Sequence, residues 1–134
     1  MGKPAARQGD PVTGTDTHIV LVPAPPGSPV PTPLPHPFVG RLADRLSPDV
    51  RIQGRPAATV DSVAQNQPPH IVTAPGTSFV TPPRNRGTVI TGSATVLING
   101  KGAARQGDRV LTCNDPVDTP VGTISAGSAQ VLIG

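Results

Sequence analysis

Three histidines and one cysteine are the residues of this 134-residue chain whose types suit metal chemistry. His18 and His70 each begin a His-Ile-Val phrase, Cys113 is the single cysteine, and His36 lies in a proline-rich insert. Three imidazoles and one thiolate can bind Zn²⁺ as a tetrahedron, with Zn–N distances of about 2.0–2.1 Å and a Zn–S distance of about 2.3 Å. The residues therefore suggest a Cys-His₃ zinc site made of His18, His36, His70 and Cys113.

Such a site would be structural, because four protein ligands close the coordination shell, whereas catalytic zinc sites keep one position open for water. The binding energy of the ion would then contribute to folding. Two alternatives stay open from the residues alone. The histidines could be ordinary polar surface residues, with Cys113 a small buried apolar one. The metal could also serve an envelope-degrading hydrolase, which would need an open site and a carboxylate base such as Asp16 or Asp115.

The composition explains why a metal would be useful. The chain contains 19 Pro and 15 Gly but only two aromatic residues, Phe38 and Phe79, so helices are disfavoured and a conventional core would be thin. Small scaffolds of this kind depend on a disulfide, a metal or a partner, and a single cysteine excludes an internal disulfide. The formal net charge of +3 comes from scattered basic residues, with almost no aromatics to stack on bases. Nucleic-acid binding is therefore not expected.

No targeting or membrane segment is expected either. The start MGKPAARQGD lacks the apolar stretch of a secretory signal peptide. No part of the sequence approaches the roughly 18 consecutive apolar residues of a membrane span. We expect a protein that is made and kept soluble in a reducing cytosol.

An internal repeat provides the frame for the candidate ligands. GKPAARQGDPV (2–12) resembles GKGAARQGDRV (100–110), and GRPAATVDSV (54–63) is a degenerate third copy. The middle copy lacks the Arg, Gln and Gly of ARQGD, so Arg7 and Arg105 have no third counterpart. The aspartates that follow the Ala-Ala pairs align if the middle copy has lost one residue: Asp10, Asp61 and Asp108.

One candidate ligand lies shortly downstream of each copy: His18, His70 and Cys113. Three units around an axis would bring these side chains together at one end, and His36 could fold over as the fourth. The phrase before the second and third copies also ends the chain, as DVRIQG (49–54), TVLING (95–100) and QVLIG (130–134). The C-terminal segment therefore completes the first unit, which is typical of a closed ring.

The repeated phrases predict short strands. Val and Ile alternate at Val50/Ile52, Val96/Ile98 and Val131/Ile133, a pattern typical of a strand with one buried face. The segments 87–100 and 122–134 each indicate a strand, a GSA turn and a second strand. The proline-rich segment 22–37 is expected to be an extended, polyproline-like loop, and RLADRL (41–46) at most one helical turn. The fold class is all-β, with pseudo-three-fold repeats and little or no helix.

These motifs resemble the PAAR-repeat proteins. PAAR stands at 4–7, GAAR at 103–106 and the QVLIG phrase at the end of the chain, and the resemblance covers nearly the whole chain. Family members form the tip of the spike of contractile injection machines: type VI secretion systems, extracellular contractile injection particles and contractile phage tails. The resemblance implies one cone-shaped β-prism domain over residues 1–134. Its units would span about 1–49, 50–95 and 96–134, with the C-terminal strand closing onto the N-terminal unit.

The resemblance also implies a function. Family members hold structural zinc near the apex through three His and one Cys, matched here by His18, His36, His70 and Cys113. The chain would be a non-enzymatic tip that caps and sharpens a trimeric β-helical spike of the VgrG type, with one copy per trimer. It would aid membrane puncture through transient contact with the target membrane, while effector attachment stays open. The expected localisation is synthesis in the bacterial cytoplasm without a signal peptide, assembly on the spike, and delivery outside the cell or into a target cell. A free-standing metal-binding module is the remaining alternative.

Overall fold

A computed structural model describes residues 2–134 as antiparallel β structure with connecting turns and no α-helix. No helix in this part of the chain is long and apolar enough to cross a membrane. The strands are β1 (Lys3–Ala5), β2 (Pro11–Val22), β3 (Val30–Asp44), β4 (Arg51–Ile52), β5 (Arg55–Pro56), β6 (Val63–Asn66), β7 (Ser78–Phe79), β8 (Arg86–Val89), β9 (Leu97–Ile98), β10 (Lys101–Gly102), β11 (Arg109–Thr112), β12 (Thr119–Ile124) and β13 (Ser128–Ile133). The all-β fold class is confirmed.

Six strands close into a barrel. Their order is β12, β11, β8, β6, β3 and β2, and β12 also pairs with β2. All of these pairings are antiparallel. Closure satisfies the hydrogen-bonding groups that an open sheet would leave at its edges. The β2–β3 hairpin extends beyond the barrel, where β7 adds to the outer side of β2.

Three short antiparallel strand pairs, two of them hairpins, form a second layer, which we call the hairpin layer. The two hairpins, β4–β5 and β9–β10, turn through Gln53-Gly54 and Asn99-Gly100, where both residues have positive φ. This is the geometry of a type I′ turn, which suits the twist of a two-residue hairpin. The third pair is not a hairpin: it joins β1 and β13, from opposite ends of the chain, with Lys3 opposite Ile133. The predicted strands at Val50/Ile52, Val96/Ile98 and Val131/Ile133 belong to these strand pairs.

A ring of backbone hydrogen bonds lies between the two layers. Ala6 N–H donates to Ala104 C=O at 2.9 Å, Ala104 N–H to Ala58 C=O at 3.0 Å, and Ala58 N–H to Ala6 C=O at 3.0 Å. All three alanines are completely buried. The second Ala of each repeated phrase therefore meets the other two at the axis, where a larger side chain would have no room.

The core consists of small side chains arranged in sets of three. In the hairpin layer the buried cluster comprises Ala5, Ala57, Ala103, Ile52, Ile98 and Ile133. In the barrel it comprises Ala6, Ala58, Ala104, Val12, Ala64, Val110, Leu42, Val89, Ile124, Phe38 and Cys113. Apart from Phe38 and Cys113, each member has a counterpart in the other two units, which accounts for a stable body with only two aromatic residues.

The structure corrects the predicted alignment of the middle copy by one position. Asp61 has φ 80°, close to the values of Gly9 (86°) and Gly107 (92°), and therefore occupies the glycine position of the turn. Ser62 occupies the aspartate position instead. The prediction that Asp61 matches Asp10 and Asp108, with one residue lost, is wrong. The middle copy differs from the other two by substitutions, not by a missing residue.

The hydrogen bonds of the turn support this correction. Ser62 Oγ accepts from Thr59 N–H at 2.9 Å, just as Asp10 Oδ2 accepts from Arg7 N–H at 2.9 Å. With the corrected register, the counterpart of Val12 is Ala64, and both are fully buried. His18 and His70 then lie at the same position of their units, six residues beyond these core residues.

The proline-rich segment is also a strand rather than a loop over residues 30–37. In β3, prolines occupy alternate positions, at 31, 33, 35 and 37, and the whole segment is in register with β2. Pro35 C=O accepts from Thr73 Oγ1 at 2.9 Å, so the proline positions face away from β2. A strand tolerates proline where its missing N–H would point to a free edge. Arg41–Asp44, predicted as a possible helical turn, continues β3.

We expect Asp61→Gly to be more stable than Asp61→Ala by about 1 kcal/mol, because a Cβ is unfavourable at positive φ. Both variants lose the contact of Asp61 with Lys101, an exposed 3.6 Å pair that contributes little. Urea denaturation of the two variants measures the difference. Equal midpoints would show that this turn carries no backbone strain.

Candidate metal centre

The face of β2 that points inward supplies two polar side chains. Val12, Asp16, His18 and Val20 alternate along the strand and all are buried. In an antiparallel strand, residues two apart share a face, so Asp16 and His18 lie side by side beyond the apolar core. His70 follows β6, and Cys113 follows β11 directly.

Four side chains from the three units meet at this place: Asp16, His18, His70 and Cys113. Their potential ligand atoms all lie within 4.8 Å of one another. The Asp16 side chain is fully buried, that of His70 is 2% exposed, and His18 and Cys113 are 1% and 3% exposed. The structure thus brings together three of the four metal ligands predicted from the sequence and adds a carboxylate.

The distances fit a single ion. Cys113 Sγ lies 3.6 Å from Asp16 Oδ2 and 3.8 Å from His18 Nε2. Nitrogen, oxygen and sulfur ligands in a zinc tetrahedron lie roughly 3.3–3.6 Å from one another. Asp16 Oδ2 and His70 Nε2 are closer, at 2.8 Å, because they share a hydrogen bond, which an ion would replace.

Asp16 is held in place by the third unit. Its Oδ1 accepts from Thr112 Oγ1 at 2.5 Å and from Asn114 Nδ2 at 3.3 Å. These bonds leave Oδ2 facing His70 and Cys113. From the sequence, Asp16 was considered only as a catalytic base. The sequence feature that indicates its place in the cluster is its spacing of two residues from His18 within a strand.

His36 lies beside this group rather than within it. Its ring centroid is 5.4 Å from that of His18 and 5.7 Å from that of His70. Its Nδ1 lies 2.9 Å from Leu34 C=O, and its Nε2 accepts from Thr73 N–H at 3.2 Å. Both ring nitrogens therefore have backbone partners, and His36 as a ligand remains a prediction from the sequence.

The local electrostatics favour the neutral forms of His18 and Cys113. Burial, followed by the neighbouring His70, lowers the pKa of His18, against the opposing effects of Asp115 and Asp16. Burial and then the Asp16 carboxylate raise the pKa of the Cys113 thiol to about 11, although the backbone N–H groups of Arg86 and Asn85 act in the opposite direction. A neutral imidazole is ready to bind a cation. The thiol must lose its proton to the solvent as an ion binds.

Two cavities border the cluster. One, of about 190 Å³, is lined by His18 and Cys113 together with Asp115 and the Arg84–Asp118 ion pair. The other, of about 380 Å³, lies on the His36 and His70 side and is mostly apolar. The polar cavity gives an ion a route from the surface to the buried thiol.

Comparison with known proteins gives one match. A family model described as PAAR motif matches residues 81–134. This segment comprises β8 to β13 with the connections between them, and therefore contains Cys113 and the third repeated phrase. Neither the curated proteins nor the solved structures contain a significant match to the chain.

We expect Cys113→Ser to lower zinc affinity by about 100-fold or more, because an alcohol is a far weaker ligand than a thiolate. Zinc content after dialysis and the melting temperature measure the effect. With a chelator present, the variant and the wild-type protein should melt at similar temperatures. A variant that keeps full zinc and an unchanged melting temperature would show that Cys113 is not a ligand.

The fourth ligand is tested by Asp16→Asn against His36→Gln. We expect the Asp16 variant to lose about 10-fold or more in zinc affinity, because an amide is a poor zinc ligand, and the His36 variant to bind nearly as tightly as wild type. Competition with a chromophoric chelator measures both. Loss of zinc in His36→Gln but not in Asp16→Asn would support the Cys-His₃ set predicted from the sequence.

Proposed function

We propose that this chain, a PAAR-repeat protein by the motif that residues 81–134 carry, is the metal-bound tip of the spike of a contractile injection machine. PAAR-repeat proteins are structural spike-tip proteins. The observation that carries the proposal is the pseudo-three-fold closure of one chain. Such a body can contact all three chains of a trimeric β-helical spike with similar surfaces, so that one copy per trimer suffices.

The hairpin layer is the surface we assign to the spike. Its three strand pairs are related by the internal repeat, and they lie at the opposite end of the barrel from the metal cluster. Equivalent positions on their exposed faces are Arg51, Leu97 and Leu132, and the two leucines are 63% and 60% exposed. Exposed apolar side chains at repeated positions suit a partner with three-fold symmetry.

The ion we propose is zinc in a structural role. Its ligands would be His18, His70, Cys113 and Asp16, with the sequence-predicted His36 as the alternative for the fourth position. These residues follow the three repeated phrases, so an ion would join all three units at the end opposite the hairpins. Bound zinc supplies a cross-link there, which helps the tip resist unravelling when the machine drives it against a membrane.

The remaining parts of the proposal follow from this role. We propose a single tip domain over residues 1–134, with units of about 1–49, 50–95 and 96–134. The domain would be made in the bacterial cytoplasm, assembled on a VgrG-type spike and delivered outward, where it contacts the target membrane transiently. The role we propose is structural rather than enzymatic. Of the two carboxylates that the hydrolase alternative could use as a base, Asp16 has partners for both oxygens, and Asp115 Oδ2 accepts from Ile19 N–H.

Co-purification with a trimeric β-helical spike protein from the same genome tests the proposal. We expect native mass spectrometry to find one copy of this chain and one zinc ion per spike trimer. A chain that remains monomeric, metal-free and unable to bind the spike would contradict the proposal, and three copies per trimer would contradict the stoichiometry.

Paired surface variants locate the contact in the same assay. Leu97→Asp with Leu132→Asp should weaken spike binding by about 10-fold or more, because each substitution places a charge in an apolar contact. The matched control, Val30→Asp with Ile71→Asp, introduces the same charges at positions that are 50% and 83% exposed, at the start of β3 and next to His70. The control should bind the spike as the wild-type protein does.

A further inference from the structure

His18 carries the one buried polar side-chain atom that lacks a hydrogen-bond partner within residues 2–134, its Nδ1. The other ring nitrogen, Nε2, faces Cys113 in the metal cluster. A buried nitrogen without a partner is costly, and a metal-binding histidine almost always donates its second N–H to an acceptor. An acceptor beside Nδ1 would therefore fix the orientation in which His18 binds an ion.

The Asp115 carboxylate lies beside this nitrogen. Its Oδ2 lies 3.4 Å from His18 Nδ1, within contact distance but without the geometry of a hydrogen bond. The other carboxylate near His18 is that of Asp16, whose Oδ2 is directed at His70 and Cys113 in the metal cluster. Asp16 therefore lies among the potential ligand atoms, whereas Asp115 lies on the other side of the His18 ring, next to Nδ1.

The backbone fixes the position of Asp115. Asp115 Oδ2 accepts from Ile19 N–H at 2.9 Å, and Asp115 N–H donates to Thr17 C=O at 2.8 Å. The preceding Asn114 Oδ1 accepts from Thr17 N–H at 2.6 Å. Asn114 and Asp115 thus lie along the outer edge of β2 on both sides of His18, and the carboxylate is held in place before any ion binds.

We propose that Asp115 is a positioning residue of the metal centre, which accepts the N–H of His18 Nδ1 and so keeps the Nε2 lone pair directed at the ion. The inference rests on the proposed metal centre. A small rotation of the ring turns the 3.4 Å contact into a hydrogen bond. A carboxylate in this place also makes the imidazole a stronger ligand.

The other histidine of the first unit shows the same arrangement with a different acceptor. His36 Nδ1 lies 2.9 Å from the C=O of Leu34, two residues earlier in β3. In His18 the acceptor comes instead from the third unit, because Asp115 follows β11. Asp115 therefore links the orientation of a ligand in one unit to the position of the loop that carries Cys113.

Full-length variants test the role of Asp115. Asp115→Ala removes the acceptor, and Asp115→Asn keeps the shape with a weaker one. Asp44→Asn is the control, because Asp44 is an exposed aspartate at the end of β3, away from both cavities, whose Oδ2 accepts from Gln65 Nε2. We expect zinc affinity to fall by about 10- to 100-fold in Asp115→Ala, to fall less in Asp115→Asn, and to change less than two-fold in the control.

Nitrogen NMR of the histidine rings separates positioning from a merely structural effect. In the metal-free wild-type protein, His18 should carry its proton on Nδ1, and Asp115→Ala should shift it toward Nε2. Unchanged zinc affinity and an unchanged ring proton in the Asp115 variants would overturn the inference. If Asp115→Ala does not fold, Asp115→Asn decides by the same two measurements. Failure of the wild-type protein to bind zinc would contradict the proposed metal centre, whereas the ring proton still tests Asp115.

Discussion

The rest of the structure depends on the ring of three hydrogen bonds among Ala6, Ala58 and Ala104. It brings three backbone segments to one axis, at a separation that only small side chains allow. Once the ring forms, the direction of each following strand is fixed, and so is the place where the residues beyond it converge. The repeated Ala-Ala pair is therefore a packing requirement rather than a binding motif.

The two ends of the barrel meet the three-fold constraint in different ways. At the hairpin end the units are nearly identical, since Ile52, Ile98 and Ile133 fill equivalent positions. At the other end the units diverge, with a long hairpin in the first, a proline-rich loop in the second and a short loop in the third. Symmetry is kept where we propose a three-fold partner and abandoned where one asymmetric group of ligands is needed.

Much of this architecture could be predicted from the sequence, because short Val/Ile strands and repeated phrases report local and periodic constraints. Asp61 was misplaced because aspartate resembles the aspartate of the other copies, whereas its backbone takes the glycine conformation. The β3 strand was missed because proline usually excludes strands, and only its alternate spacing makes one possible. The spacing of two residues between Asp16 and His18 indicates that they share a face of β2. The bonds of Asp16 to Thr112 and Asn114, and that of His36 to Thr73, depend on contacts across units that no local pattern reveals.

The prolines of β3 have a consequence for how the molecule meets other proteins. Along residues 30–37 the strand pairs with β2 on one side, and its opposite side offers carbonyl groups but no N–H donors. An incoming strand needs both to add to a sheet. This border therefore cannot be extended by another chain, whether a second copy or a protein met in transit. This edge of the projecting hairpin is therefore protected against strand addition, which would suit the role of a tip that we propose.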